Sequence, residues 1–298
     1  RMLDVYADFC ENRLAIPVIK GRKTESEKFA GAVATYTIEA LMHDGKALQS
    51  GTSHYFGDGF SRAFHVTYQG RDNSICYPFQ TSWGFSTRII GGIIMTHGDN
   101  DGLVLPPAVA PVQIMIVPIA PQKPGVLEKA RELEKRLKGS FRVKVDDSDQ
   151  TPGWKFAEYE MKGVPLRLEI GPKDIARNQC VLVRRPDRKK IFTPLENLED
   201  EAAKQLGKVR EILSSRALER RKNMTYDART LDEMKEIAVS KPGFVRAMWC
   251  GDKACEAKIR ETTGLTSRCI PFDQERISDT CVCCGRPAKE LVYWGKAY

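Results

Sequence analysis

Apolar and polar positions alternate along this chain in two rhythms. Residues 2–14 carry apolar side chains at Leu3, Tyr6, Phe9, Cys10 and Leu14, the spacing of a helix with one buried stripe. The run 16–19 is a short strand candidate. Residues 35–41 and 47–55 predict two strands around HDGK, where Asp44-Gly45 is a hairpin turn signal. Residues 60–69 and 74–80 predict a second strand pair around Gly70-Arg71-Asp72-Asn73, and 86–96 predicts a helix. Antiparallel strands followed by a helix imply an α+β core not built from βαβ repeats.

Pro106, Pro107 and Pro111 mark a boundary, and the rhythm changes beyond them. Residues 113–119 form a continuous apolar strand. Leu127, Leu133 and Leu137 lie on one stripe of an amphipathic helix, 126–137. Residues 141–145 alternate, 154–161 read as a helix, and 164–170 and 180–183 read as strands with a short helix, 174–177, between them. Strand–helix alternation on this scale predicts a small mixed α/β domain. A long charged helix, 195–221, connects onward. Thr230 and Glu233 form a capping box that opens another helix, which Pro242-Gly243 ends. The predicted domains are 1–111, 112–212 and 213–298.

Composition narrows the class. With 42% hydrophobic and 29% charged residues, the 298-residue chain reads as ordinary globular protein. Its net charge of +8, from 47 basic and 39 acidic residues, favours a polyanionic partner such as nucleic acid. No apolar run reaches the eighteen or so residues of a membrane span. The chain opens on Arg1 rather than Met, so it is expected to begin inside a longer reading frame or to have had its N-terminus removed.

Of nine cysteines, five fall in the last fifty residues. That clustering suits a metal site in a reducing cytosol better than a disulfide framework. Cys250-x4-Cys255 and Cys281-x2-Cys284 are two thiolate pairs, the donor set of tetrahedral, structural Zn2+. Cys281-x-Cys283 is available too; Cys284 is preferred because Gly285 follows it as a knuckle turn. His97 and Asp99 could be misread as a metal pair; their segment is expected to shape a loop instead.

The segment TSWGFSTRIIGGIIMTHGDNDGLVLPPAVAPVQ, residues 81–113, resembles the segment that closes the ATP site of class II aminoacyl-tRNA synthetases. Its wording is similar to that of the archaeal/eukaryotic-type prolyl-tRNA synthetases. KGRKTESEKFAG (20–31) and QSGTSHYFG (49–57) extend the resemblance upstream. TPGWKFAEYEMKGVPLRLEIGPKDIARNQ (151–179) resembles the anticodon-binding domain of the prolyl, threonyl, histidyl and glycyl enzymes.

The resemblance implies an α/β and α+β multidomain chain. Its parts would be a partial class II antiparallel sheet core, a mixed α/β anticodon-binding domain and a small α+β zinc-binding C-terminal domain. It implies that Phe29 and Trp83 wall a proline pocket, with His54, Ser82 and Gly84 lining it. His54 serves there in binding, because the carboxylate of proline is already a nucleophile. Gln49, Thr52 and Ser86 would contact the nucleotide, and Arg88 its phosphates, as the catalytic residue. A guanidinium suits that role because it stays charged and offers fixed donors to phosphate. Glu160, Arg167 and Lys173 would read anticodon guanines. The terminal carboxylate of Tyr298 would fold back toward the catalytic site.

The implied activity is activation of L-proline with ATP and Mg2+, then transfer to tRNA(Pro), in a cytoplasmic homodimer with no membrane partner. Two motifs of the class are expected upstream of Arg1, so the chain alone is expected to be an incomplete catalytic unit. The competing readings are a non-catalytic tRNA-binding fragment or regulatory paralogue, and an unrelated zinc-ribbon nucleic-acid binder. The residues around Arg88 weigh against both.

Overall fold

The computed structural model describes residues 1–298. The first elements are α1 (Met2–Asp8), β1 (Val18–Arg22), β2 (Ala34–Leu41), β3 (Ala47–Gly57), α2 (Gly59–Ala63), β4 (Tyr68–Gln69), β5 (Ile75–Cys76), β6 (Gln80–Gly84) and α3 (Arg88–His97). There follow β7 (Ile114–Pro118), α4 (Val126–Leu137), β8 (Val143–Val145), α5 (Pro152–Met161), β9 (Leu166–Ile170), α6 (Pro172–Ala176), β10 (Gln179–Arg184), β11 (Lys190–Pro194) and α7 (Leu198–Asn223). The last are β12 (Thr225–Asp227), α8 (Leu231–Ser240), β13 (Phe244–Trp249), α9 (Lys253–Thr263), β14 (Thr266–Pro271) and β15 (Glu290–Gly295). They form two compact units. One comprises Arg1–Glu11, Ile16–Gly92 and Leu218–Tyr298; the other comprises Asn12–Ala15 and Ile93–Ala217.

The first unit is built on an eight-stranded sheet in the order β12-β13-β15-β14-β1-β2-β3-β6. Only β12 and β13 run parallel. Residues 1–111 and 213–298, read from sequence as separate domains, thus supply strands to one sheet. They join where Gly21 pairs with Pro271 and Arg22 with Ile270. A Cβ at Gly21 would lie 2.4 Å from the Ile270 carbonyl oxygen, so only glycine permits this approach. The β2–β3 hairpin turns where the sequence signalled it. Asp44 Oδ1 accepts from the Lys46 N–H (3.1 Å), and Gly45 takes φ +78°.

Glu39 is fully buried in this sheet and saturated with donors. Lys23 Nζ reaches Oε1 at 2.9 Å, and Arg268 Nε and Nη2 reach Oε2 at 3.1 and 3.0 Å. Thr37 Oγ1 donates to Oε1 at 2.8 Å.

The second unit holds a five-stranded sheet, β11-β10-β9-β7-β8, with β7 parallel to β8 and β9 and the rest antiparallel. This is the mixed α/β architecture expected from the sequence. On one face, Ala130, Leu133 and Leu137 of α4 and Leu198, Ala202 and Leu206 of α7 pack over Ile114, Ile116, Leu166 and Leu168. Each such leucine contributes roughly 1.5–3 kcal/mol by leaving water. On the other face, Phe156 and Tyr159 of α5 pack on Met115 and Val117.

Three expectations fail locally. Residues 60–69 are mostly not strand: Phe60 and Phe64 are four apart, a helical spacing, and α2 forms with Arg62 N–H bonded to Asp58 O at 2.9 Å. Within 74–80, only Ile75–Cys76 pairs with Tyr68–Gln69, and the next strand, β6, pairs with β3 instead. The first helix is α-helical only to Asp8 and continues as a wider π turn, Phe9–Arg13.

Candidate nucleotide and amino-acid site

The strand β3 positions most of the site. A bulge opposite Ile38/Glu39 sets Gln49 across from Glu39 and Thr52 across from Thr37. Glu39 and Thr37 share a face, so Gln49 and Thr52 share it too, although they stand three positions apart. His54 continues the same face, opposite Thr35. The next strand, β6, lies antiparallel to β3, with Gly84 across from Thr52 and Ser82 across from His54.

Arg88 opens α3, and its Nη1 donates to the Gln49 carbonyl at 3.3 Å. Its backbone N–H donates to Ser86 Oγ at 3.3 Å. Gln49, Thr52, Gly84, Ser86 and Arg88 line one cleft of about 350 Å³. Residues from two strands and a helix start, all singled out in the sequence, therefore converge on one concavity. A fixed cation beside backbone carbonyls and hydroxyls suits a phosphorylated, hydroxyl-bearing ligand.

Beside it on β3 lies an aromatic group. The Phe29 ring stands 5.0 Å from His54 and 5.8 Å from Phe56, and Phe56 stacks on His54 at 5.9 Å. Thr35 Oγ1 accepts the Phe29 N–H (3.1 Å) and hydrogen-bonds His54 Nδ1 (3.0 Å). Burial lowers the His54 pKa and keeps the ring neutral.

Trp83 does not join this group. It pairs with Ser53, and strand alternation puts it on the sheet face opposite His54. The second apolar wall beside His54 is Phe56, which sequence reasoning did not single out. The alternation of β3 was its available signal, since residues 52, 54 and 56 share a face.

In the second unit, Glu160 and Arg167 meet at 2.9 Å. Arg167 also donates through Nε and Nη2 to Glu169 Oε1 (3.0 and 2.9 Å), and its guanidinium lies 3.9 Å over the Phe156 ring. Arg188 reaches Glu160 at 3.4 Å, and Lys190 reaches Glu169 at 3.8 Å. Lys173, on α6, is exposed and outside this network. Glu169, Arg188 and Phe156 were missed in the sequence: the alternation of β9 from Arg167 was the available signal for Glu169, while nothing local marks Phe156 on α5 or Arg188 in the turn after β10. His97 and Asp99 do not form a metal pair. His97 Nε2 bonds the Leu14 carbonyl at 2.7 Å, and Asp99 pairs with Arg185 at 2.6 Å.

The cysteines gather at the start of α9. The sulfurs of Cys250, Cys255, Cys281 and Cys284 lie within 4.8 Å of one another, and Cys283 is not among them. Cys250 and Cys255 are 3.7 Å apart, and Cys284 and Cys250 3.8 Å. A tetrahedral site with metal–sulfur bonds of about 2.3 Å has sulfur–sulfur edges of about 3.8 Å, so the donor set fits zinc. The Arg286 Nε–H, 3.3 Å from Cys284 Sγ, lowers that thiol to about 6, while burial raises Cys255 and Cys281.

The last residues are held. Ala297 bridges to Ala47, and Lys46 Nζ lies 5.0 Å over the Tyr298 ring. Burial and a hydrogen bond to Asp44 push the Tyr298 phenol up to about 12.

Known proteins resemble this chain along its whole length. A family model described as the C-terminal region of prolyl-tRNA synthetase matches residues 231–298. A model of the anticodon-binding domain matches residues 113–205. The chain is 63% identical over 298 residues to the proline–tRNA ligase of Ruminiclostridium cellulolyticum. It is 62% identical to that of Clostridium novyi and 61% identical to that of Lachnoclostridium phytofermentans. All of this chain is covered in each alignment, and it spans 62% of each relative's length. Along its whole length the chain is therefore similar to the C-terminal portion of prolyl-tRNA synthetases.

Proposed function

We propose that this chain is part of a prolyl-tRNA synthetase. The intact protein would activate L-proline with ATP and Mg2+ and pass the prolyl group to the 3′ end of tRNA(Pro). The observation that carries this reading is the cleft shared by Gln49, Thr52, Ser86 and Arg88, beside the Phe29–His54–Phe56 aromatic group on β3. Proline is small, rigid and apolar, and a close aromatic slot is what its ring requires. Its carboxylate attacks the α-phosphorus of ATP, and pyrophosphate leaves. Arg88 would hold phosphate charge during that step, and catalysis would come from positioning and charge stabilisation. Ser82 and Gly84 sit on the pocket's face of β6. Trp83, on the other face, would act as support rather than as a wall.

Glu160 and Arg167 would meet anticodon guanines, with Lys173 further out. Because Arg167 already holds Glu160 and Glu169, RNA binding would exchange these internal partners for base edges. Cys250, Cys255, Cys281 and Cys284 would hold a structural Zn2+, closed to water by its four thiolates. No helix of the structure is long and apolar enough to cross a membrane. A cytoplasmic homodimer is the assembly we infer for the intact enzyme.

The test is amino-acid-dependent ATP–pyrophosphate exchange across the twenty amino acids. It is run on this chain and on the protein extended to its relatives' full length. Exchange with proline only, in the extended protein, is expected. No exchange in either, with tRNA binding retained, would replace this reading with a non-catalytic tRNA-binding module.

A further inference from the structure

Phe29 contributes a wall of the aromatic slot, yet it is 52% exposed and carries little packing of its own. Something else must fix its place. The segment leading to it begins at Thr24, which is 2% exposed. The Thr24 carbonyl accepts from the Glu27 and Lys28 N–H groups at 3.2 and 2.9 Å, forming a single turn that delivers Phe29. The Thr24 hydroxyl is held from a distant part of the chain: Oγ1 donates to Glu256 Oε1 at 2.7 Å. Ser267 Oγ donates to the same oxygen at 2.7 Å, and the two hydroxyls lie 3.0 Å apart.

Glu256 is 6% exposed, and its other carboxylate oxygen has no protein partner. A buried carboxylate is a costly way to tie down a threonine, and hydrogen bonds to it are worth more than neutral ones. Its helix is itself anchored. Asp252 caps α9 by accepting from the Ala254 N–H (2.9 Å), and Arg286 pairs with Asp252 at 2.5 Å. Beyond Phe29 the tether continues: the Phe29 N–H bonds Thr35 Oγ1, which bonds His54 Nδ1. Hydrogen bonds and the backbone of one turn thus link a helix more than 200 positions away in the chain to Phe29 and His54.

We propose that Glu256 is a positioning residue for the amino-acid pocket: its hold on Thr24 sets where the Phe29 ring lies against His54. This rests on the reading of that slot as the proline pocket. Glu256 touches no substrate, so its effect on amino-acid binding passes entirely through the Thr24 turn.

The experiment reads His54 directly. The chain has four histidines, and His54 alone lies against both Phe29 and Phe56, so ring currents make its Cε1–H resonance a gauge of ring position. Carbon–proton spectra are recorded on this chain as wild type, Glu256→Ala, Glu256→Gln and Thr24→Val. Thr24→Val keeps the side-chain shape, removes one hydroxyl and leaves Ser267 on the carboxylate, so it reports even where Glu256→Ala fails to fold. The expected result is a shift of the His54 resonance in Thr24→Val and Glu256→Ala, with His43, His65 and His97 in place. Glu256→Gln, which keeps an acceptor, returns it toward wild type.

In the full-length protein, Thr24→Val and Glu256→Ala raise KM for proline by about tenfold, the weight of one charged hydrogen bond, and leave KM for ATP unchanged, while Glu256→Gln stays near wild type. An unmoved His54 resonance in Thr24→Val would overturn the proposal, as would equal losses for proline and ATP. Absence of proline-dependent exchange in wild type would instead sink the pocket reading, while the histidine spectra would still judge the tether.

Discussion

The replacement of Lys23 by methionine tests the energetics of the sheet that carries the site. Lys23 and Glu39 meet at 2.9 Å with side chains only 2% and 0% exposed. At an effective dielectric of about 20, that separation corresponds to a gross attraction of about 6 kcal/mol. Desolvation of both ions offsets much of it, yet removing one partner strands the other charge, a loss measured at about 3–5 kcal/mol in buried pairs. Arg268 remains on the other carboxylate oxygen at 3.0 Å, so Lys23→Met should fall near the low end, about 3 kcal/mol. Lys23 Nζ also gives up its bond to the Arg268 carbonyl at 2.7 Å.

Urea unfolding of a Trp154→Phe background gives the readout. Trp83, Trp249 and Trp294, all in the first unit, then supply the fluorescence, and the second unit is silent. With an m-value of about 2 kcal/mol per M, the midpoint should drop by about 1.5 M. A drop below about 0.5 M at unchanged m would refute the reasoning, since Glu39 would then have found another partner or water.

Other outcomes follow from the same geometry. Arg185, beside Asp99, holds that carboxyl below its ordinary value of 3.8. A depressed folded-state pKa adds stability above the unfolded value, lost as pH falls through the folded one, so the second unit should weaken below about pH 4. Asp99→Asn should flatten that limb in melts between about pH 2 and 5, and an unchanged limb would deny the coupling. The purified chain should carry one zinc per molecule. Cys283→Ser should retain it and Cys250→Ser should lose it, as read by elemental analysis after dialysis. Arg88→Ala in the full-length protein should lower proline-dependent exchange by about 10²–10³-fold, the effect of removing one transition-state donor. A loss below about threefold would remove Arg88 from the phosphate contacts.

Much of this was legible in the chain because local chemistry marks it. The Thr230–Glu233 capping box forms with Glu233 N–H on Thr230 Oγ1 at 3.2 Å, since both partners lie within one turn. The amphipathic stripe of α4 and the Asp44-Gly45 turn are local in the same sense. The residues that line the Arg88 cleft were singled out through wording rather than periodicity.

Errors arose where one periodicity imitated another or where a partner lay far away. Phe60 and Phe64 are a helical pair inside a segment rich in strand formers. Trp83 follows Ser82 directly, and neighbours on a strand cannot both face one pocket. Phe56, which packs beside Phe29 and His54 where Trp83 does not, needed only the alternation from His54. Glu39, Lys23 and Arg268 gave no local hint, because a buried charge is recognisable only once its counter-charges are in place. The single sheet shared by 1–111 and 213–298 was likewise hidden, since strand pairing across some 250 positions leaves no trace in either segment alone.

That shared sheet sets a schedule for the newborn protein. The strand β1 is made early, but its neighbour β14 begins only at Thr266. Between Gly92 and Thr266 a ribosome adds about 170 residues, roughly 10–35 s of synthesis. Within that interval the second unit gains its last strand at Pro194 and can fold, while the backbone of Gly21 and Arg22 waits with an open edge. A growing chain with such an edge is a template for pairing with its neighbours on the same message. Pausing in translation after residue 217, or a frameshift before Thr266, should therefore cost soluble yield out of proportion to the residues lost.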